Sequence, residues 1–327
     1  MHKIQHQARW ILLFTAAAMC GADVLAQSYP ARPIRLVVPF EPGGGVDLVG
    51  RLVAAKLNKN LGVTVVVDNR GGGGGSIGAN IAAKADPDGY TLVMGNNSTH
   101  GVNQVFTPNL PYDTIKDFTP ISLIAIAQEA LLTRPAVPAK SVTEFIALAK
   151  GKPGQYNFGS SGIGSHTHVV GELFKFVTHT NLVHIPYKGT GQTYTALVTG
   201  EVHLMFSSTG GAMPHMSSGR LKALGITGAK RSQYLPELMT FDEQGVKGFD
   251  TIGLNYLFLG PAKLPKPIVA QLYAEAAKMV KDADFKKYLS AQALDAIGST
   301  PEVAADGIKK EIAKWTQLAK ETGIRLH

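Results

Sequence analysis

Four times along this chain a short aliphatic, β-branched run empties into a cluster of small residues and then into a helical pattern. Ile34-Arg35-Leu36-Val37-Val38 leads into a glycine loop over 39–46 and a helix expected over 47–58. Residues 63–67 lead into the five consecutive glycines at 71–75 and a helix ending near Lys84, before a further strand over 91–94. After the run 156–158 come Gly159-Ser160-Ser161-Gly162 and a helix over 167–176. After 183–185 come Tyr187-Lys188-Gly189-Thr190-Gly191 and a helix through Val198. Two more strands are expected at 203–206 and 223–226. Strands alternating with helices in this way require crossover connections, so the chain is predicted to be α/β, with mostly parallel sheets covered on both faces. The rhythm breaks at 125–138, a crossing between two α/β halves, and a second crossing falls near 250–259. That divides the chain into 27–127 with 253–327 as one domain and 128–252 as the other. The tail over 301–323 is an amphipathic helix with Val303, Ile308, Ile312, Trp315 and Leu318 on its apolar side, Trp315 being a core residue.

The N-terminus reads as an export signal. Lys3 and Arg9 precede an apolar run over 10–18, and Val24-Leu25-Ala26 supplies small residues for a cut after Ala26. The apolar run is shorter than the roughly 20 residues that span a bilayer. Cys20 is the single cysteine of the chain. Met19 stands where lipid attachment wants a small residue, so Cys20 is expected to leave with the signal. The chain from Gln27 onward then has no disulfide, thiolate metal site or cysteine nucleophile. It carries 30 basic and 23 acidic side chains, a net +7, with no Lys/Arg run. That distribution argues against nucleic-acid binding. A soluble periplasmic protein is expected.

Strand ends in open α/β sheets form ligand crevices. Helix N-termini there present unpaired N–H groups and partial positive charge, which suits anions, and glycine lets the backbone approach closely. Two such loops in each half would hold an anionic ligand from both ends. Rival chemistries fit less well. Gly73-x-Gly75-x-x-Gly78 matches the dinucleotide fingerprint, but the next strand ends in Gly95-Asn96-Asn97-Ser98 rather than in the acid that grips a ribose. No Gly-Lys-Ser/Thr follows the glycines, so a phosphate-binding P-loop fails. Ser160, Ser161, Ser165 and His166 cluster without a Gly-x-Ser-x-Gly elbow, and His166-x-His168 lacks a carboxylate to complete a metal set. The ordinary role of this cluster is a helix N-terminus donating hydrogen bonds to ligand or backbone. Asp47 suits the start of its helix and also has the option of holding a bound water. Arg70 pins its own loop, and Lys188 is the only cation in the second half's candidate loops. Phe40 and Tyr187 either wall an apolar part of a ligand or pack internally.

At these loops the sequence resembles a known family. Tyr29-Pro30-x-Arg32-Pro33-Ile34 followed by Pro39-Phe40-x-Pro42-Gly43-Gly44-x-x-Asp47 is similar to the opening of the Bug family, the extracytoplasmic receptors of tripartite tricarboxylate transporters. Asp68-Asn69-Arg70, Asp86-Pro87-Asp88-Gly89-Tyr90, Leu110-Pro111-Tyr112-Asp113, Ser160-Ser161-Gly162-x-Gly164-Ser165, Pro186-Tyr187-Lys188-Gly189 and Ala229-Lys230-Arg231-Ser232 continue the resemblance in order. It implies a Venus-flytrap protein that closes on a carboxylate and delivers it to membrane subunits of a transporter, as a monomer without metal or cofactor. The carboxylate contacts it implies are Phe40, Gly43, Gly44 and Asp47, then Gly74, Gly75, Ser76 and Gly78. From the second half come Ser160, Ser161, Ser165, His166, Tyr187 and Lys188. Asn97, Ser98 and His100 are added from the end of the third strand. Two alternatives stay open: a secreted serine hydrolase using Ser161 or Ser165 with His166, and a receptor that feeds a signalling system.

The sequence departs from the family's pattern in places. Gly71 stands where proline is usual, and His203-Leu204-Met205-Phe206 is followed by Ser207-Ser208 instead of an acid or amide. Small hydroxyls there would leave less negative charge, which suits a dicarboxylate, aliphatic or aromatic.

Overall fold

The computed structural model describes residues 29–326; the export signal, its cut after Ala26 and Cys20 lie outside the described residues. Eleven strands form two sheets. The larger contains β1 (Ile34–Val38), β2 (Val65–Asn69), β3 (Thr91–Asn96), β4 (Phe118–Ala127), β10 (Leu254–Pro261) and β11 (Asp295–Ala296), in the order β11-β4-β10-β3-β1-β2. The smaller contains β5 (Glu129–Thr133), β6 (Tyr156–Ser160), β7 (Leu182–Pro186), β8 (Leu204–Ser208) and β9 (Lys222–Ile226), in the order β7-β6-β8-β5-β9. The helices are α1 (Gly45–Leu61), α2 (Ser76–Ala83), α3 (Asn103–Phe106), α4 (Val142–Gly151), α5 (His166–Thr178), α6 (Thr190–Thr199), α7 (Thr209–Ser217), α8 (Lys266–Met279), α9 (Ala283–Ala291) and α10 (Pro301–Thr322). None of the described helices is long and apolar enough to cross a membrane.

The alternation of side chains along β1 explains why its residues are apolar on both faces, Arg35 excepted. Ile34, Leu36 and Val38 face a core shared with α1, α8 and α9, while Val37 faces a second core with Val93, Leu257 and Leu259. A strand covered on both faces is mostly apolar at both parities, and the exception, Arg35, is only part-buried and donates to Asp68 on β2 at 2.7 Å. β1 pairs in parallel with β2 and β3, and β6 in parallel with β7 and β8. This is the βα rhythm expected from the sequence, written once into each sheet.

The stretches expected as crossings are themselves strands. β4 ends at Ala127 in the larger sheet and β5 begins at Glu129 in the smaller, with Gln128 alone between them. β5 runs antiparallel between β8 and β9, and β10, the return strand, runs antiparallel between β3 and β4. A chain that enters a sheet from its neighbour arrives at the strand ends facing that neighbour, so it must run back against the parallel set. One expected core position is corrected: Val303 is 58% exposed. It lies in the first turn of α10, where its neighbour Ala304 is the residue that is buried. Farther along, Ile308 packs with the larger sheet and fully buried Trp315 with the aromatic core of the smaller one.

In that smaller core His168 and His184 stack with ring centroids 3.7 Å apart, and Ser160 Oγ lies 2.6 Å from His184 Nε2. Burial holds both imidazoles neutral; His184 and Lys175 add to the effect at His168, which is lowered to about 3, and Lys175 adds to it at His184, which is lowered to about 4. Glu172, 3.9 Å from His168, acts in the opposite sense and is outweighed. Unfolded histidine titrates near 6.5, so the unfolded chain binds protons first as pH falls. The pair's contribution is whole above about pH 6.5 and drains away below it. Thermal midpoints measured from pH 7.5 to 4.5 should fall on the acid side, and His184→Gln should flatten that fall. Equal slopes in the two proteins would remove the pair as its cause.

Candidate functional site

The strand ends of the two sheets face each other, and the loops that leave them meet backbone to backbone. A Cβ built on Gly74, whose φ is +60°, would lie 2.8 Å from Ile163 O and from Ser165 N. One built on Gly44 would collide with Thr190 Oγ1. These contacts pass between the glycine loops after β1 and β2 and those after β6 and β7. Only residues without side chains bring the two backbones this close. Ser98 Oγ adds a polar link, accepting from the backbone N–H of His166 at 2.8 Å.

A cavity lies between these loops, closed down to about 20 Å3 of free space, about the room of a single water. Its walls are Phe40, Gly44, Gly45 and Val46 from the first loop, Asn96 and Ser98 from the end of β3, and Leu254 from the start of β10. The smaller sheet contributes Glu129, Ser161, His166, Thr167, Thr190, Ser207 and Ser208. Three helices start on this wall without a side-chain cap: α1 at Gly44, α6 at Gly189 and α7 at Ser208. Their first N–H groups have no partner inside the helix, and each start carries partial positive charge. No lysine or arginine is among the lining residues. The site therefore offers an anion oriented dipoles rather than a counter-charge.

Asp47 braces the first loop from behind. Its carboxylate accepts from Gly43 N at 3.1 Å, Asn69 Nδ2 at 3.0 Å and Arg51 Nε at 3.0 Å, while Asn69 also donates to Phe40 O at 3.0 Å. Of the two roles open from the sequence, the structure gives Asp47 the structural one. Phe40 does both things asked of it, packing in the larger sheet's core and lining the cavity.

Of the residues expected at the site, Phe40, Gly44, Ser98, Ser161, His166 and Ser207 line this cavity. The rest lie off its wall. Gly43 belongs to the loop that Asp47 holds. Gly74, Gly75, Ser76 and Gly78 build the second loop, where Gly75 packs on the Phe40 ring and Gly78 on Pro39. Asn97 turns away, donating to Glu311 Oε1 at 2.7 Å and accepting from Asn255 N at 2.5 Å. His100 is fully buried beside Phe118, its Nδ1 is 2.8 Å from Thr99 Oγ1, and burial lowers it to about 3. Ser160 is engaged with His184, Ser165 caps α5 by accepting from His168 N at 3.2 Å, Tyr187 packs beside Gly159, and Lys188 is exposed. Ser161 Oγ lies 3.0 Å from Thr167 Oγ1, and the His166 imidazole makes no hydrogen bond with any serine side chain. The nucleophile–base contact of a serine hydrolase is not assembled here.

Glu129 is the residue sequence reasoning missed. It is fully buried, stands in register with Ser208 and lies 3.3 Å from His166 Nε2. The expectation that Ser207 and Ser208 leave this strand end short of negative charge is corrected, because the acid sits on the adjoining strand. Strand pairing put it there, and the sequence carries only one hint, an acid heading the apolar run Ala130-Leu131-Leu132. Beside it Tyr194 OH lies 2.5 Å from Ser207 Oγ, and Tyr256 OH donates to Ser208 Oγ at 2.8 Å. Burial first, with Glu129 adding to it, pushes both phenols well above their ordinary range, so they remain protonated.

With this geometry in place, the chain was compared with known proteins. The family described as tripartite tricarboxylate transporter family receptor matches residues 49–324. Protein BugT of Bordetella pertussis is 33% identical over 315 residues, 96% of each chain. An R. palustris protein solved with adipate superposes with a TM-score of 0.87 at 33% identity, covering 91% of this chain and 99% of that one. MatC from Rhodopseudomonas palustris, solved with bound malate, gives 0.85 at 32% identity, covering 88% and 99%.

The brace under the first loop makes a direct prediction. Asp47→Ala removes three hydrogen bonds, one of them to a cation, and should destabilise the protein by about 2 kcal/mol. The thermal midpoint should drop by roughly 4–8 °C. An unchanged midpoint in calorimetry would show that the loop holds its shape without the carboxylate.

Proposed function

The chain belongs to the tripartite tricarboxylate transporter receptor family, and from that premise we propose that it is a periplasmic receptor for an organic carboxylate. It captures the acid between its two sheets by closing on it and hands it to the membrane subunits of a transporter of that type. The observation that carries this reading is the cavity on which three uncapped helix starts converge. Two structural relatives solved with adipate and malate support a dicarboxylate in particular.

In this reading residues 27–127 with 253–327 form one lobe and 128–252 the other. The contact of Gly74 with Ile163 and Ser165 belongs to the closed form, in which the ligand exchanges water for fixed N–H groups and hydroxyls. Apparent affinity then depends on the fraction of molecules able to close. A side chain at Gly74 would hold the loops apart without touching the ligand.

Thermal stability against a panel of mono-, di- and tricarboxylates tests the proposal. A ligand at 100 times its dissociation constant stabilises the native state by about 2.7 kcal/mol, a midpoint shift of roughly 5–10 °C. Such a shift is expected with a dicarboxylate and not with NAD or simple esters. Absence of any shift across the acids would refute the receptor assignment. Gly74→Ala should weaken binding of the same acid by about tenfold or more, and unaltered affinity would refute closure through these loops. Ser207→Asp, which adds a second carboxylate beside Glu129, should weaken a dicarboxylate in the same titration; equal affinity would argue against a ligand charge near β8.

A further inference from the structure

We infer that Glu129 is a recognition residue, and that the pocket takes a carboxylate which also carries an N–H or O–H donor. This deepens the receptor reading above and rests on it. Glu129 lines the cavity and is fully buried, yet neither of its oxygens accepts a hydrogen bond. A buried carboxylate without donors is among the most unfavourable arrangements a protein can hold, so such a group signals a partner still to come.

The neighbouring donors are committed elsewhere. Tyr256 gives its hydroxyl hydrogen to Ser208, Tyr194 is engaged with Ser207, and Thr227 Oγ1 accepts from the Glu129 backbone N–H rather than reaching its side chain. His166 Nε2, at 3.3 Å from Oε1, is the nearest side-chain nitrogen, but its geometry satisfies neither group, and both its ring nitrogens are left without a hydrogen bond. The cavity is thus two-sided. Helix starts supply donors, and Glu129 with His166 supplies acceptor capacity. A plain diacid presents only acceptors when ionised and leaves Glu129 unmatched. An acid bearing a hydroxyl or ammonium group satisfies both sides. Sites built to bind a polar group reject the analogue that lacks it far more strongly than pockets reject a change of size.

Isothermal titration of the protein with two matched sets tests this: succinate against malate and aspartate, and propionate against lactate and alanine. In at least one set the donor-bearing member should bind about tenfold or more tightly than its plain counterpart. Glu129→Leu, or Glu129→Gln measured with the amino acids should the first fail to fold, should bring that ratio close to one. Plain acids binding as tightly as the donor-bearing ones would overturn the inference and leave the receptor reading standing. A Glu129 variant that weakens both members equally would make the residue a brace for His166, which also overturns it. Failure of every acid to bind would take the receptor reading down, and the inference with it.

Discussion

The close approach of four backbone loops across the gap between two sheets is the constraint from which the rest of this structure follows. Loops that meet at van der Waals distance cannot carry side chains at the points of contact, and the glycines there are a geometric requirement. Because those loops also begin helices, drawing them together draws the helix starts together. Three helix starts therefore face one small volume, although Thr209 N–H of the third already donates to Gln128 O at 3.0 Å. The binding chemistry is a by-product of how the lobes touch.

A site made of peptide dipoles differs from one built on arginine or lysine. Peptide groups are fixed by the helices they begin, so their orientation is already set before a ligand arrives. They carry partial charge, and the cost of desolvating them is smaller than for a full cation. The one acidic side chain on the wall, Glu129, stands deep in the smaller sheet, so the wall presents helix starts on one side and a carboxyl group on the other.

Much of this was legible in the sequence because it is local. The run Ile34–Val38 followed by small residues announces a strand, a turn and a helix within a dozen positions, and the same signature recurs at β6 and β7. Family resemblance extended the reading along the chain. What sequence could not deliver was long-range pairing. Asn97 and His100 looked like strand-end ligands, but α10, arriving two hundred residues later, supplies Glu311 to one and helps bury the other. Glu129 fell within a stretch read only as a crossing until β8 was laid beside it. Val303 fitted the apolar stripe of α10 by periodicity, yet in that first turn it is Ala304 that the fold buries. Each of these depends on a neighbour that no local window contains.

The tail helix has a mechanical meaning beyond its burial. Ile308 is bedded in the larger sheet and Trp315, two turns on, in the core of the smaller, while Lys314 Nζ reaches Thr251 O at 3.2 Å on the segment returning between sheets. A rod seated at two points in two bodies acts as an axle. Swivelling about it keeps both seats filled, whereas sliding one body past the other tears Trp315 or Ile308 from its socket. Were the two sheets to part, α10 would therefore favour rotation over translation.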